Sequence, residues 1–545
     1  MSFPECNFPC ILNQVCCWSV YESLLSREIP LKQKKFILSE DMLTVEFLAL
    51  VGVIIFLVWI LCKKPAGLPP GRWGLPLVGY IPMKNKYIDD LLKDFQNQFG
   101  DMYIWRVGTQ VLLFVHDYNL VRQIFSSQDF VDRPDWVIFK GNEKTALGIA
   151  FSNNPIWQAN RRFSLHQLKD LGMGKSSLAL AVQTQASKLV EALKEEAGEP
   201  APIPAALNTA VVNIIWQMVA NKQFEKDDPR LLEFKRLIEE FGASGSAMII
   251  PDIFPWLRTI LPNFLLRKFL RMDLFEEVLE KFLAYFDELV EEHRAALDPD
   301  DPKDLIDSYL IEMDNSQNNT SFRSAFPSLS SVKDLTYLIF DMFVAGSDTT
   351  VNTLKWIFLY LADNPDVQQR LQEEIDAALP KDTLPTMDDR SKLQYTEAVI
   401  NEALRKSALA NTGLQHVASK DTQLFGYRIP KGTICMASID SIHHDPRYWD
   451  EPLKFRPERW IDADGKVIMK KEGFLPFSLG KRNCIGESLA RLELLIFTAA
   501  VLRSFSISPP EGETIDLRPD PNNQLGHDPI KQDVIFTLRE NKDKA

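Results

Sequence analysis

The sequence predicts a mainly α fold with a minor β-sheet, carried by one large domain at residues 83–545 behind an N-terminal transmembrane helix. Three observations predict it. Apolar residues recur with helical period through most of the chain, the strand-like stretches are few and short, and one unbroken apolar run of bilayer length lies near the start. With 545 residues, 46% hydrophobic and 25% charged, the composition is that of a globular protein with ample length for a large core. No linker interrupts the chain after residue 82, so a single domain is expected. The formal net charge of -13 argues against nucleic acid as a partner, because neutralising phosphates takes clustered basic residues.

Residues 1–41 carry four of the seven cysteines, Cys6, Cys10, Cys16 and Cys17, without helical or strand period. They read as an extension, flexible or upstream of the true start, and Met42 offers a second start. From Met42 to Cys62 the chain is apolar except for Thr44 and Glu46. Twenty-one helical residues span roughly 30 Å, the thickness of a bilayer core, so residues 42–62 are expected to anchor the protein. Lys32, Lys34 and Lys35 precede the span while Lys63, Lys64 and Arg72 follow it. A start at Met42 leaves only the second group and places the large domain in the cytosol. Residues 63–82, with Pro65, Pro69, Pro70 and Pro76, form a stiff hinge where no helix continues.

Met102 to Val107 and Gln110 to Val115 flank Gly108-Thr109 and read as a hairpin. Gln423 to Ile429 and Thr433 to Ala437, joined through Pro430-Lys431-Gly432, read as a second. Helical period marks Lys175 to Lys194, Arg230 to Phe241, Leu274 to Ala296, Asp366 to Ala378 and Lys392 to Ser407. Ser331 with Asp334 forms a capping-box-like start to a longer helix that runs to about Asp363, on the order of 50 Å. Its middle, Ala345-Gly346-Ser347-Asp348-Thr349-Thr350, sets a glycine, an acid and hydroxyls inside an apolar helix. Such groups cost free energy unless they bond something. Either the threonine bonds back to the carbonyl four residues earlier and bends the helix, or the segment serves a ligand.

Phe477-Ser478-Leu479-Gly480-Lys481-Arg482-Asn483-Cys484-Ile485-Gly486 sets one cysteine between glycines, with a helix-like run behind it. The glycines let backbone approach a flat partner, and a thiol at a helix N-terminus beside Arg482 and Lys481 is readily held as thiolate. Only Cys435 and Cys484 lie in the long globular part, and no Cys-x-x-Cys pair exists. That leaves no disulfide framework and no zinc ribbon, and it fits a reducing compartment. A single thiolate of this kind points to haem iron.

The pattern Phe-x-x-Gly-x-Arg-x-Cys-x-Gly resembles the haem-binding signature of the cytochrome P-450 superfamily at every fixed position. The likeness runs from about residue 65 to 540 and includes the hinge, the segment around Thr349, Glu402-x-x-Arg405, and Phe455 to Trp460. It implies haem b held by the thiolate of Cys484, with Phe477 in the ligand loop. Trp157, Arg161, His416 and Arg482 would meet the haem carboxylates, and Ala345 would border the oxygen face. Cleaving dioxygen consumes two protons, a task that the resemblance gives to Asp348 and Thr349. Gly346 is expected to leave room for a ligand over the haem. Glu402, Arg405 and Arg459 are implied to form a buried structural triad. After that helix the family usually carries a proline, whereas Ser407 to Gln415 has none.

The resemblance further implies a monooxygenase at the endoplasmic reticulum membrane, with its catalytic domain cytosolic. It would insert one atom of dioxygen into a small apolar substrate of steroid, fatty-acid, terpenoid or xenobiotic type. Electrons would come from NADPH through a flavoprotein reductase. A haem-thiolate isomerase or dehydratase and a non-catalytic haem-binding protein are the alternatives. Lys466, Lys470, Lys471, Lys481 and Arg482 against Glu472 form a locally basic stretch suited to an acidic reductase. Met248 to Phe264, with three prolines and several aromatics, reads as a membrane-dipping loop, a substrate entrance or a buried linker.

Overall fold

A computed structural model describes residues 47–539, apart from 57–58, 61, 83–86, 142, 171–175, 226, 246–248, 319–330, 381–382, 387 and 524–525. It divides into two compact units, Met1–Lys63 and Lys64–Ala545. In the first, residues 47–56 are helical, with Phe47, Leu48, Leu50, Val53, Ile54, Ile55 and Phe56 exposed. No helix among the described residues is long and apolar enough to cross a membrane. The expected extension 1–41 and the first residues of the expected anchor 42–62 lie outside the described residues.

The second unit is mainly helical. Its longer helices are α1 (Ile88–Phe99), α2 (Tyr118–Ser126), α3 (Ile156–Asp170), α4 (Ser176–Glu195), α5 (Ala206–Ala220), α6 (Pro229–Gly245), α7 (Met272–Ala296), α8 (Leu305–Asn318), α9 (Val332–Asp363), α10 (Pro365–Ala378), α11 (Gln394–Ser407) and α12 (Glu487–Ser504). The expected helical stretches match α4, α6, α7, α10 and α11 to within a few residues. Helix α9 is apolar all round and buried from Asp334 to Phe343 and from Leu354 to Ala362 except at Lys355, as a helix at the centre of a large core must be. Its start differs from expectation. Ser331 makes no side-chain cap, because Asp334 turns inward to accept from Gly148 N–H and Asn160 Nδ2.

The C-terminal half of α9 packs with α4, α5, α10, α11 and α12 in one apolar cluster, and its N-terminal half with α3, α5, α6, α7 and α8 in another. Trp216 on α5 is fully buried in the second cluster, 4.5 Å from the ring of Phe343. Gly346 is where α5 comes closest: a Cβ there would meet Ile215 Cδ1 at 2.8 Å. The glycine therefore serves helix packing, and the expected room for a ligand over it is filled by Ile215.

Strands β1 (Gly71–Arg72), β2 (Met102–Val107), β3 (Gln110–Val115), β5 (His416–Val417) and β8 (Ile434–Ala437) form a five-stranded sheet in the order β1-β2-β3-β8-β5. The first hairpin forms as expected, with Met102 opposite Val115. Residues 71–72 pair parallel to β2, so the proline-rich stretch contributes a strand to the large unit. The second expected hairpin does not form. The chain turns at Phe425-Gly426, both at positive φ, joining β6 (Thr422–Leu424) to β7 (Tyr427–Ile429) as a separate ribbon. β8 instead runs parallel to β3 and antiparallel to β5. Gly426 supplies the left-handed conformation a two-residue turn requires, and it decides the pairing over the Pro-Lys-Gly segment. A small sheet of β4 (Ala201–Pro202), β10 (Asp533–Leu538) and β9 (Phe505–Ser508) completes the set.

Glu402 on α11 is fully buried and accepts from Arg405 Nε and Nη2 at 2.9 and 2.8 Å, Arg459 Nε at 3.1 Å, Trp460 Nε1 at 2.9 Å and the Arg456 N–H at 3.0 Å. Arg405 also donates to the His443 carbonyl at 2.7 Å. One carboxylate thus ties α11 to the segment leading to Phe477. The proline-free stretch that follows α11 is held by side chains. Ala408 takes φ 41°, His527 bonds the Ser407 and Leu409 carbonyls, and Asn411 donates to Asp89.

Replacing Glu402 with alanine strands two buried guanidiniums and is expected to destabilise the fold by about 3–5 kcal/mol, as for other broken buried pairs. Chemical denaturation measures this. A loss under about 1 kcal/mol, the range of surface pairs, would contradict the arrangement.

Candidate active site

The ligand loop is built by backbone close approach. Gly480 has φ 77°, and a Cβ there would sit 2.0 Å from the Phe125 carbonyl oxygen, so only glycine lets the loop lie against the end of α2. The Cys484 N–H donates to the Phe477 carbonyl at 2.9 Å. Phe477 packs on the main core with the Arg491 guanidinium 5.0 Å from its ring. The Cys484 side chain is exposed, yet burial pushes its thiol up from the usual value, against the Gly486 and Glu487 N–H groups and Arg161, which lower it. Both facts hold if the sulfur lines an opening inside the protein. The expected cation partners of the thiol differ: Arg161 approaches it, while Lys481 is exposed and Arg482 is turned toward Trp157, with its guanidinium 4.0 Å from the indole ring.

Helix α9 opens in its middle. Ala345, Asp348 and Thr349 are exposed although the helix is buried on either side. Thr349 Oγ1 donates to the Ala345 carbonyl at 2.7 Å, and Ser347 and Thr353 bond back in the same way. Both sequence alternatives for the segment therefore meet here, a back-bonded threonine and an exposed face. Asp348 lies near enough to Lys355 to raise an ammonium that burial lowers. On the opposite face Thr350 donates to Glu493 Oε2 at 3.1 Å. Glu493, on α12, is buried with Oε1 unpartnered.

Three guanidiniums gather on one side. Arg482 donates from Nε to the Val131 carbonyl at 2.9 Å and from Nη2 to the Ser152 carbonyl at 2.6 Å. Arg161 binds Asn483 through its carbonyl at 2.9 Å and its side chain at 2.6 Å. Arg133, which sequence reasoning missed, is 5% exposed and donates to the Ala150 and Gln415 carbonyls at 3.1 and 2.6 Å. Burial, then the neighbouring cations, lower Arg482 to about 8 against the pull of Asp132, and lower Arg133 to about 9. Among the described residues none of the three forms an ion pair with a carboxylate. His416 is buried, donates from Nδ1 to the Phe130 carbonyl at 2.7 Å and stacks on Phe125 at 3.8 Å. Burial lowers its pKa to about 3. No periodicity marks Arg133. The one signal in Asp132-Arg133-Pro134 is a cation in a segment that proline keeps from being helical.

Guanidiniums without an ion-pair partner, two of them buried, a cysteine loop beside them and a helix face bared by Ala345 and Thr349 fit a flat group that carries two carboxylates and a metal. A helical enzyme fold with such a site defines a haem-binding oxidoreductase. The comparisons agree: a family model described as Cytochrome P450 matches residues 69–536. "Cytochrome P450 2L1" of Panulirus argus is 40% identical over 486 residues, covering 89% of this chain and 97% of that one. "Farnesoate epoxidase" of Bombyx mori is 33% identical over 470 residues, covering 84% and 92%. "Cytochrome P450 2J3" of Rattus norvegicus is 33% identical over 465 residues, covering 84% and 89%. The chain belongs to the cytochrome P450 family. It is a monooxygenase, of a family that holds haem through a cysteine thiolate.

Burial raises Glu493 to about 8 from an ordinary 4.5. A carboxyl raised on folding contributes stability that is full below about 4.5 and lost as pH rises through about 8. Melting temperatures followed from pH 5 to 9 are therefore expected to fall more steeply in the wild type than in Glu493→Gln. Parallel profiles would show that the group does not titrate there.

Proposed function

We propose that Cys484 is the thiolate ligand and that the enzyme inserts one oxygen atom from dioxygen into a small apolar substrate. Electrons are supplied from NADPH by a flavoprotein reductase. The observation that carries this reading is the group of three guanidiniums beside the cysteine loop, Arg133 and Arg482 buried and Arg161 half-buried, none of them in an ion pair with a carboxylate among the described residues. Arg133, Arg161 and Arg482, with Trp157 and His416, hold the haem carboxylates. Bound haem supplies the activation of dioxygen. Of the protein's own groups, Thr349 offers a hydroxyl at the exposed face of α9 and Asp348 a carboxylate one residue away. Together they pass protons inward from the solvent side. Ala345 keeps that face free of bulk, while Gly346 lets α5 pack against the helix.

Substrate of terpenoid size is favoured, since one relative is named for the epoxidation of farnesoate. Placement at the endoplasmic reticulum membrane, with residues 42–62 as anchor and the large domain in the cytosol, rests on the apolar 42–62 run and on an apolar surface in the large unit. There Ile260, Phe264 and Phe269 are 66%, 68% and 77% exposed. Apolar side chains this exposed favour a lipid surface. They belong to the Met248–Phe264 segment and the helix that follows it, Asn263–Leu270. Thr109 N–H and Trp256 Nε1 tie the segment to the rest of the unit through the Ile253 and Leu77 carbonyls.

The expected reductase surface loses two of its cations, and one of them is Arg482, which is buried. Lys471 folds inward: its Nζ donates to the Arg459 carbonyl at 3.0 Å and lies 5.3 Å from the Trp449 ring. Lys466, Lys470 and Lys481 are exposed and carry the basic surface.

Reduced protein under carbon monoxide is expected to give the thiolate-type absorption band and Cys484→Ala to lose it. A fully active alanine variant would sink the assignment. NADPH consumption with reductase and substrate separates a monooxygenase from an isomerase or a haem carrier, which consume none. Reversing Lys470 and Lys481 to Glu is expected to slow reduction at low salt and have little effect at high salt, where charges are screened. Unchanged stopped-flow kinetics would rule the surface out.

A further inference from the structure

A turn at residues 148–150 lies between two buried acids of α9 and two of the buried guanidiniums. On one side the Ile149 and Ala150 N–H groups donate to Asp341 Oδ2 at 2.6 and 2.9 Å, and the Gly148 N–H to Asp334 Oδ1 at 3.0 Å. On the other, the Ile149 carbonyl accepts from Arg482 Nη1 at 3.3 Å and the Ala150 carbonyl from Arg133 Nε at 3.1 Å. Asn160 Nδ2 and Ser152 Oγ take the Gly148 carbonyl at 2.8 and 2.6 Å. In the Gly148–Ile149 and Ile149–Ala150 peptide planes the N–H thus faces Asp341 while the C=O faces a donor, which is Arg482 in the second. The fields of both ends align the same dipole, and hydrogen bonds to charged groups are about twice as strong as neutral ones.

Neither acid has another function in view. Asp341 is 8% and Asp334 1% exposed, and burial raises them to about 7 and about 6. Asp334 is fixed by Asn160 and by the Tyr309 hydroxyl at 3.2 Å, so the brace reaches α3 and α8. Seven residues separate the two acids, which puts them two turns apart on one face of α9. Gly148 shows how close the fit is. Its φ is 71°, and a Cβ would lie 2.3 Å from Asp341 Oδ2 and 3.0 Å from the Tyr337 carbonyl.

We propose that Asp341 and Asp334 are positioning residues of the haem site. They fix the 148–150 turn, and the turn's carbonyls aim Arg133 and Arg482 at the haem carboxylates. The inference rests on the haem reading above. The two carboxylates touch neither haem nor substrate. They act through the peptide groups, and a loop displaced from α9 releases its hold on both guanidiniums at once.

The test uses the full-length holoenzyme and measures haem transfer to excess apomyoglobin together with the reduction midpoint. Asp341→Ala is expected to speed haem loss by about tenfold, the lower range for supporting partners of a metal site. Asp341→Asn keeps one amide oxygen to accept from the turn and is expected to retain haem to within about threefold of wild type. The alanine and asparagine variants carry the same charge, so a midpoint that is lower in Asp341→Ala than in Asp341→Asn reports the aim of the guanidiniums and not the lost carboxylate. Gly148→Ala keeps both acids and displaces the turn, and it is expected to match Asp341→Ala. It decides the question if Asp341→Ala does not fold. Glu493→Gln, an equally buried carboxyl away from the turn, is expected to retain haem like wild type. The inference is overturned if Gly148→Ala and Asp341→Ala hold haem as wild type does, or if alanine, asparagine and the Glu493 control behave alike. A wild type without the thiolate band under carbon monoxide would fail the haem reading itself, before any variant is compared.

Discussion

Positive charge buried without an ion-pair partner is the constraint on which this structure turns. Arg133 and Arg482 are each depressed by neighbouring guanidiniums, and the three, with Arg161, satisfy their N–H groups with carbonyls and the side chains of Asn153 and Asn483. Desolvating a guanidinium costs several kcal/mol, which neutral acceptors offset only in part. A protein carries such a cost where a ligand brings the missing charge. In the proposed reading the haem carboxylates supply it, so binding and the settling of this region are one event.

The triad around Glu402 is the instructive contrast, because it buries the same residue types with the opposite outcome. There a carboxylate faces two arginines, and its remaining lone pairs are taken by the indole N–H of Trp460 and by the Arg456 N–H. Each guanidinium there has the carboxylate as an ion-pair partner within the protein. The paired cluster fixes the path from α11 toward Phe477, and in the proposed reading the unpaired guanidiniums meet the cofactor. Both clusters flank the same cysteine loop, so the loop is held by a closed network on one side and left open on the other.

Most helices were legible because their apolar period is set by the core they face, as in α7, where Phe275, Phe282, Phe286 and Leu289 all point inward. The first hairpin was legible from Gly108-Thr109. The second was misread because two glycine turns compete, at Phe425-Gly426 and Lys431-Gly432, and local pattern does not say which one reverses the strand. Within the candidate site, Cys484, Trp157, Arg161 and Arg482 drew notice because they sit in short motifs. Arg133 and Asp341 did not, since each acts on a segment remote in sequence: Arg133 on Gln415, and Asp341 on Ile149. Gly346 was singled out and given the wrong partner. Glycine states only that something comes close, and here it is Ile215.

One rigid element joins these parts. Helix α9 presents Asp334 and Asp341 to the 148–150 turn, then bares Ala345 and Thr349, then meets Glu493 through Thr350. The step from Asp341 to Ala345 is four residues, about 6 Å along the axis, so the brace and the exposed face are neighbours on a helix that cannot flex between them. Its hydroxyls at Ser347, Thr349 and Thr353 all bond back to the preceding turn, which leaves the helix self-sufficient where its neighbours withdraw. A face emptied of packing partners would otherwise expose a weak point in the middle of the core. The back-bonds satisfy the hydroxyls at the opening within the helix itself, and in the proposed reading the acids on the same helix keep the cationic side of the opening in register with it.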